Sequence, residues 1–114
     1  MLLAVGEHVL AELPPLCVRM ATPLAGGIGC SHEEACGALT GGAMVIGALH
    51  GRVDPAQNDD LAQSLMTTYR DRFHGEFGTT CCGPIRNWVQ SPAGPGTCAV
   101  VVERAARILL DVLS

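Results

Sequence analysis

The sequence predicts an all-α fold, a small helical bundle of about five helices with a glycine-rich central helix, and three observations lead there. Apolar residues recur at three- and four-residue spacing through most segments. No run alternates apolar and polar residues as a half-buried strand does. Glycine and proline clusters cut the chain between these periodic stretches. A length of 114 residues corresponds to a single domain, 1–114, with one core.

Leu2, Leu3, Gly6, Val9, Leu10 and Leu13 recur at helical spacing, and Pro14-Pro15 stops that first helix. Pro15 suits the first position of a second helix, whose inner face is Leu16, Cys17, Met20 and Leu24. Gly26-Gly27-Ile28-Gly29 breaks it. Ser31 followed by Glu34 is a capping-box pattern and predicts a third helix from there to about Leu49. Its buried stripe reads Ala35, Ala38, Leu39, Gly42, Val45, Ile46 and Leu49; a second face, Cys36, Thr40, Ala43 and Gly47, is small throughout. Glycine inside a helix costs about 1 kcal/mol relative to alanine, so several in one helix imply close packing against a neighbour.

Asp54-Pro55 with Gln57 predicts the cap of a fourth helix, whose stripe is Leu61, Leu65, Tyr69, Phe73 and Phe77. Phe77 to Pro84 reads as a turn, Ile85 to Val89 as a short helical piece, and Ser91 to Gly96 as a loop. Thr97 predicts the cap of the last helix, which carries Val101, Ala105, Ile108, Leu109 and Val112 inward. On its outer side Glu103–Arg107 and Arg107–Asp111 are spaced as i,i+4 ion pairs.

Composition narrows the function. A net charge of −4 with seven arginines and no lysine excludes Schiff-base and phosphate-loop lysine chemistry. Scattered arginines and only four aromatic residues argue against nucleic-acid binding. The longest apolar or glycine run, Gly41 to Leu49, is far short of the roughly 20 residues of a membrane span. The first ten residues have no basic region and carry Glu7, so no secretory signal is read there and a cytoplasmic location is expected. A hydrophobic content of 48% in so small a domain predicts a homo-oligomer, joined through the small face of the third helix or through Leu2, Leu3, Leu10 and Leu13.

Six cysteines carry the chemistry. Cys30 and Cys36 lead into the third helix, Cys81 and Cys82 are vicinal in a turn, and Cys98 begins the last helix. Only Cys17 lies within an apolar pattern, as a packing residue does. Helix N-termini and turns present N–H groups that stabilise a thiolate. Cys36 is expected in the second turn of its helix, with the dipole and a protonated His32 favouring its thiolate and Glu33 and Glu34 opposing it. Cys98 is expected at the first helical position, with no acid before Glu103. Two such thiols, Cys36 and Cys98, facing a third in the turn, Cys82 or Cys81, suit thiol–disulfide exchange, and the three are expected to converge at one pole of the bundle. The same three with Cys30, and Cys81 as the alternative to Cys82, would also supply the four ligands of an iron–sulfur cluster or a zinc site. Their spacings are not those of ferredoxins or zinc ribbons. His8, His50 and His74 read as surface or helix-end histidines. Gly27-Ile28-Gly29 is no nucleotide loop, since no strand precedes it, and His32-x-Glu34 lacks the cysteine partner of a zinc deaminase.

Gly26-Gly27-Ile28-Gly29, then Cys36-Gly37-Ala38-Leu39-Thr40-Gly41, then Phe77-Gly78-Thr79-Thr80-Cys81-Cys82, then Cys98 resemble the C-GCAxxG-C-C family of small redox-active proteins, some of them selenoproteins. The resemblance covers most of the chain, in order, and implies a redox role. It maps three of the family's four cysteines onto Cys36, the turn cysteine (Cys82 by the count from Gly78, otherwise Cys81) and Cys98. The family's first cysteine falls near Val5 here, and Cys30 is expected to have taken its place. The function expected is thiol redox chemistry with another redox protein or oxidoreductase as partner. The alternatives are an iron–sulfur electron carrier or sensor using the same cysteines, and a structural subunit whose glycine-rich helix packs into a larger oxidoreductase.

Overall fold

Prolines and glycines divide the chain into six α-helices in a computed structural model, which describes residues 1–114. They are α1 (Leu2–Val9), α2 (Pro15–Ala21), α3 (Gly37–His50), α4 (Asp60–Phe77), α5 (Cys82–Gln90) and α6 (Ala99–Leu113), with one 3₁₀ turn, Thr22–Leu24, after α2. The bundle is all-α as read, with one helix more than five and no strand.

The core forms where α3, α4 and α6 pack on one another, with α1 laid over α3. Val5 of α1, Val45 and Ile46 of α3, Tyr69 and Phe73 of α4, and Val101, Ala105 and Leu109 of α6 are shut off from solvent. Each set follows the three- and four-residue spacing that brings side chains to one face. The glycine-rich helix lies at the centre because one of its glycines admits an aromatic ring against its backbone. A Cβ at Gly42 would stand 2.5 Å from Cε2 of Tyr69, whose hydroxyl donates to the Ala38 carbonyl at 2.8 Å. Gly47, by contrast, faces open space.

The third helix begins later than its capping-box pattern predicts. Ser31 Oγ donates to the Gly27 carbonyl at 2.6 Å and accepts the Glu33 N–H at 3.1 Å, so it closes a local turn. The helix opens at Gly37, with Cys36 as its N-cap. Tertiary geometry is the reason. Gly26, Gly27, Ile28, Gly29 and Cys30 all have positive φ, as does His32, and coil the chain left-handed. Residues 34–36 then run extended beside residues 80–82, with Cys36 N–H donating to the Thr80 carbonyl and Cys82 N–H to the Glu34 carbonyl, both at 2.8 Å. An extended segment cannot serve as a first helical turn.

The fourth helix also starts late. Asp54 Oδ1 accepts the Ala56 N–H and Gln57 Oε1 the Val53 N–H, both at 2.9 Å, which closes a separate turn before Asp60. Of its stripe, Tyr69 and Phe73 are buried, Leu65 and Phe77 half-buried, and Leu61 is 57% exposed.

The first helix ends at Val9, because Leu10 is already extended with ψ 138°. The second buries no residue, and its expected inner face is open: Leu16 is 60% and Met20 63% exposed. It packs on α1 and on its own following turn. The last helix starts one residue later than read: Cys98, expected at the first helical position, is the N-cap, and the Thr97 hydroxyl accepts the Ala99 N–H at 3.2 Å. Arg107 pairs with Glu103 at 2.8 Å, while Asp111 is taken by Arg72 of α4 instead.

Candidate functional site

The pairing of residues 34–36 with 80–82 sets the site. Ala35 and Cys81 form an isolated antiparallel bridge, and extended backbone sends successive side chains to opposite faces. Cys36 and Cys82, each one residue past a bridged one, therefore leave on a common face. Cys36 is the N-cap of α3, Cys82 the first residue of α5 and Cys98 the N-cap of α6. Negative charge on Cys82 or Cys98 bears on the Cys36 thiol, and charge on Cys98 or Cys30 bears on Cys82.

Burial and helix position compete at these thiols. Cys36 is 9% exposed, and this burial pushes its pKa up; the Ala38 and Leu39 N–H groups pull it back, and charge at Cys82 or Cys98 raises it further. The low-pKa thiolate expected at Cys36 is therefore not met, because desolvation outweighs the helix N-terminus. Cys82 is half-buried and is also raised, first by burial and then by charge at Cys98, with the Arg86 guanidinium pulling it down and Cys30 adding to the rise. Cys98 and Cys30 are exposed.

His32 meets a different cysteine from the one expected. Its Nδ1 lies 3.4 Å from Cys82 Sγ, whereas the sequence reading paired it with Cys36. Two glycines allow this approach. A Cβ at Gly27 would stand 2.6 Å from Cys82 Cβ and 2.9 Å from His32 Cα, and one at Gly83 would stand 2.7 Å from the His32 carbonyl oxygen. His32 itself holds φ 60°, its N–H donating to the Gly26 carbonyl at 2.9 Å. Sequence reasoning missed Gly83, and a glycine directly after a cysteine was the one local sign of it.

Cys30 lies on the left-handed turn at φ 55°, so the chain does not run straight on from it into α3. It comes within electrostatic reach of Cys82. Nowhere do three histidine, cysteine, aspartate or glutamate side chains stand close enough to share one metal ion. Cys17 lies elsewhere, half-buried in an apolar groove with Leu10, Leu13, Met20 and Leu49. His8, His50 and His74 occupy the last turns of α1, α3 and α4 and are exposed.

No helix is long and apolar enough to cross a membrane. No curated protein and no solved structure matches this chain. A family profile does, over residues 1–112, and its description is "Putative redox-active protein (C_GCAxxG_C_C)". The match takes in the glycine-rich turn, the bridged segments and all three cysteine-headed helices, and the chain belongs to this redox-active family.

Proposed function

We propose that the protein acts by thiol–disulfide exchange, with Cys36, Cys82 and Cys98 as the reacting group and a redox protein or oxidoreductase as partner. One observation carries this reading: the three thiols stand at the starts of three helices, and charge at Cys98 bears on both Cys36 and Cys82. Thiolates that repel each other lose that repulsion when two of them join as a disulfide. Their graded exposure gives a direction, since Cys98 is open, Cys82 partly so and Cys36 buried. An outer thiol meets the partner and the buried one completes the internal bond. The exposed apolar residues Leu16 and Met20 of α2 and Leu3 of α1 support self-association.

The test is anaerobic purification, metal analysis and disulfide mapping before and after mild oxidation. A metal-free protein that loses two thiols to a bond within the Cys36, Cys82 and Cys98 group is the expected result. A brown, iron-containing protein that keeps its thiols ligated would overturn it in favour of the cluster-bearing carrier.

A further inference from the structure

We propose that His32 is the proton acceptor and donor for Cys82, which makes Cys82 the thiol that attacks a disulfide-bonded partner. This rests on the thiol-exchange reading and assigns the order of events within it. The contact is built rather than incidental. Nδ1 of His32 is 3.4 Å from Cys82 Sγ across 50 residues of sequence. Side chains at Gly27 or Gly83 would collide with one partner or the other. His32 and Cys30 accept positive φ on the same turn, a conformation unfavourable to an L-residue.

The surroundings make a base useful. Burial raises the pKa of the Cys82 thiol, charge at Cys98 and at Cys30 of the turn raises it further, and the Arg86 guanidinium lowers it. Cys36 faces the same space from α3, and Glu33 and Glu34 flank His32 in the chain. A neutral imidazole beside the sulfur removes the proton as the thiolate forms.

The steps balance. The Cys82 S–H proton passes to His32 Nδ1, and the thiolate attacks one sulfur of the partner's disulfide. That S–S bond breaks, a Cys82–partner disulfide forms, and the departing thiolate takes the proton from His32. A second thiol of the group, Cys36 or Cys98, then attacks the Cys82 sulfur, forms the internal disulfide and releases the partner's other sulfur with its own proton. Two thiols of this chain are oxidised and one partner disulfide is reduced to two thiols.

The experiment uses the full reduced chain and dithiodipyridine, an uncharged small disulfide whose released thione is followed by stopped flow. Mass mapping identifies the first cysteine modified. Wild type is compared with Cys82→Ser and His32→Asn across pH. Asparagine tolerates the left-handed conformation and reaches the Nδ1 position without exchanging a proton. Expected is a fast phase at Cys82 that Cys82→Ser abolishes. His32→Asn should slow it at least about tenfold at neutral pH, with the gap closing as pH passes the thiol's own range. An unchanged rate at Cys82, an equal slowing at every pH, or first modification at Cys98 or Cys36 regardless of His32 would overturn the assignment. If Cys82 reacts as expected but no internal disulfide follows, the His32 assignment stands on its rate and the exchange function is what fails.

Discussion

Cys36 heads a helix and is nevertheless held protonated by burial, and this has a consequence for stability. A thiol whose folded pKa lies above its unfolded value contributes stability that is complete below the unfolded pKa, near 8.5, and is lost as pH rises through the folded one. Tyr69 behaves likewise at higher pH, its phenol raised by burial from an ordinary value near 10. Under anaerobic reducing conditions the melting temperature should stay level to about pH 8.5 and then fall, with Cys36→Ser flattening the first part of the fall. Thermal melts across pH check this, and an identical decline in the variant would contradict it. At this scale the sequence was only partly legible. The candidate thiols were visible from their places at turns and helix starts. Which of Cys81 and Cys82 joins Cys36 was not, because the answer lies in alternation along two extended segments 46 residues apart in sequence, from 35 to 81. His32 was visible as a residue beside cysteines, but its partner depends on the same long-range pairing.

Among the elements, α3 makes the sharpest contrast, since its glycines are not equivalent. Gly42→Ala would drive a methyl group into the Tyr69 ring and disturb the bond from its hydroxyl to Ala38, and should cost about 3 kcal/mol as an overpacked core does. Gly47→Ala, in open space, should stabilise by about 1 kcal/mol through helix propensity alone. Denaturant unfolding of the two single variants measures both, and similar values would refute the assignment of close packing to Gly42. The inward faces of α3, α4 and α6 could be read because periodicity is local, and Val101, Ala105, Ile108 and Leu109 lie where their spacing puts them. Helix starts were harder. Ser31 and Asp54 have the side chains of caps, yet both close tight turns of their own, and competing local hydrogen bonds of this kind leave no mark on the pattern. The inner face read for α2 failed for a different reason. The connector from Leu10 to Pro14 sets that helix against α1, and an open apolar groove separates it from α3.

On the scale of the whole molecule the fold is longer than it is wide, 48 × 27 × 24 Å, and α2 leaves an apolar face without a cover. If that face carries the proposed self-association, a pair of charges there, Leu16→Glu with Met20→Glu, should leave the protein monomeric with its helical content unchanged. Sedimentation at micromolar concentration checks this, and a monomeric wild type would remove the basis for it. The stretch from Gly26 to Cys30 bears on the molecule in another way: it makes the chain intolerant of a change in length at one place. Insertions in surface loops are usually absorbed, because added residues bulge into solvent at little cost. The exposed stretch between Gly51 and Asn58 should accept an extra glycine silently. One glycine added between Gly29 and Cys30 would instead advance the register of everything up to the bridge at Ala35 and carry His32 off Cys82. Two insertions of identical composition should then differ in outcome, the first leaving the rate at Cys82 as it is and the second lowering it to the level of His32→Asn. For a family aligned on its cysteines, the count of residues between the glycine turn and the first helix would be as diagnostic of the site as the thiols themselves.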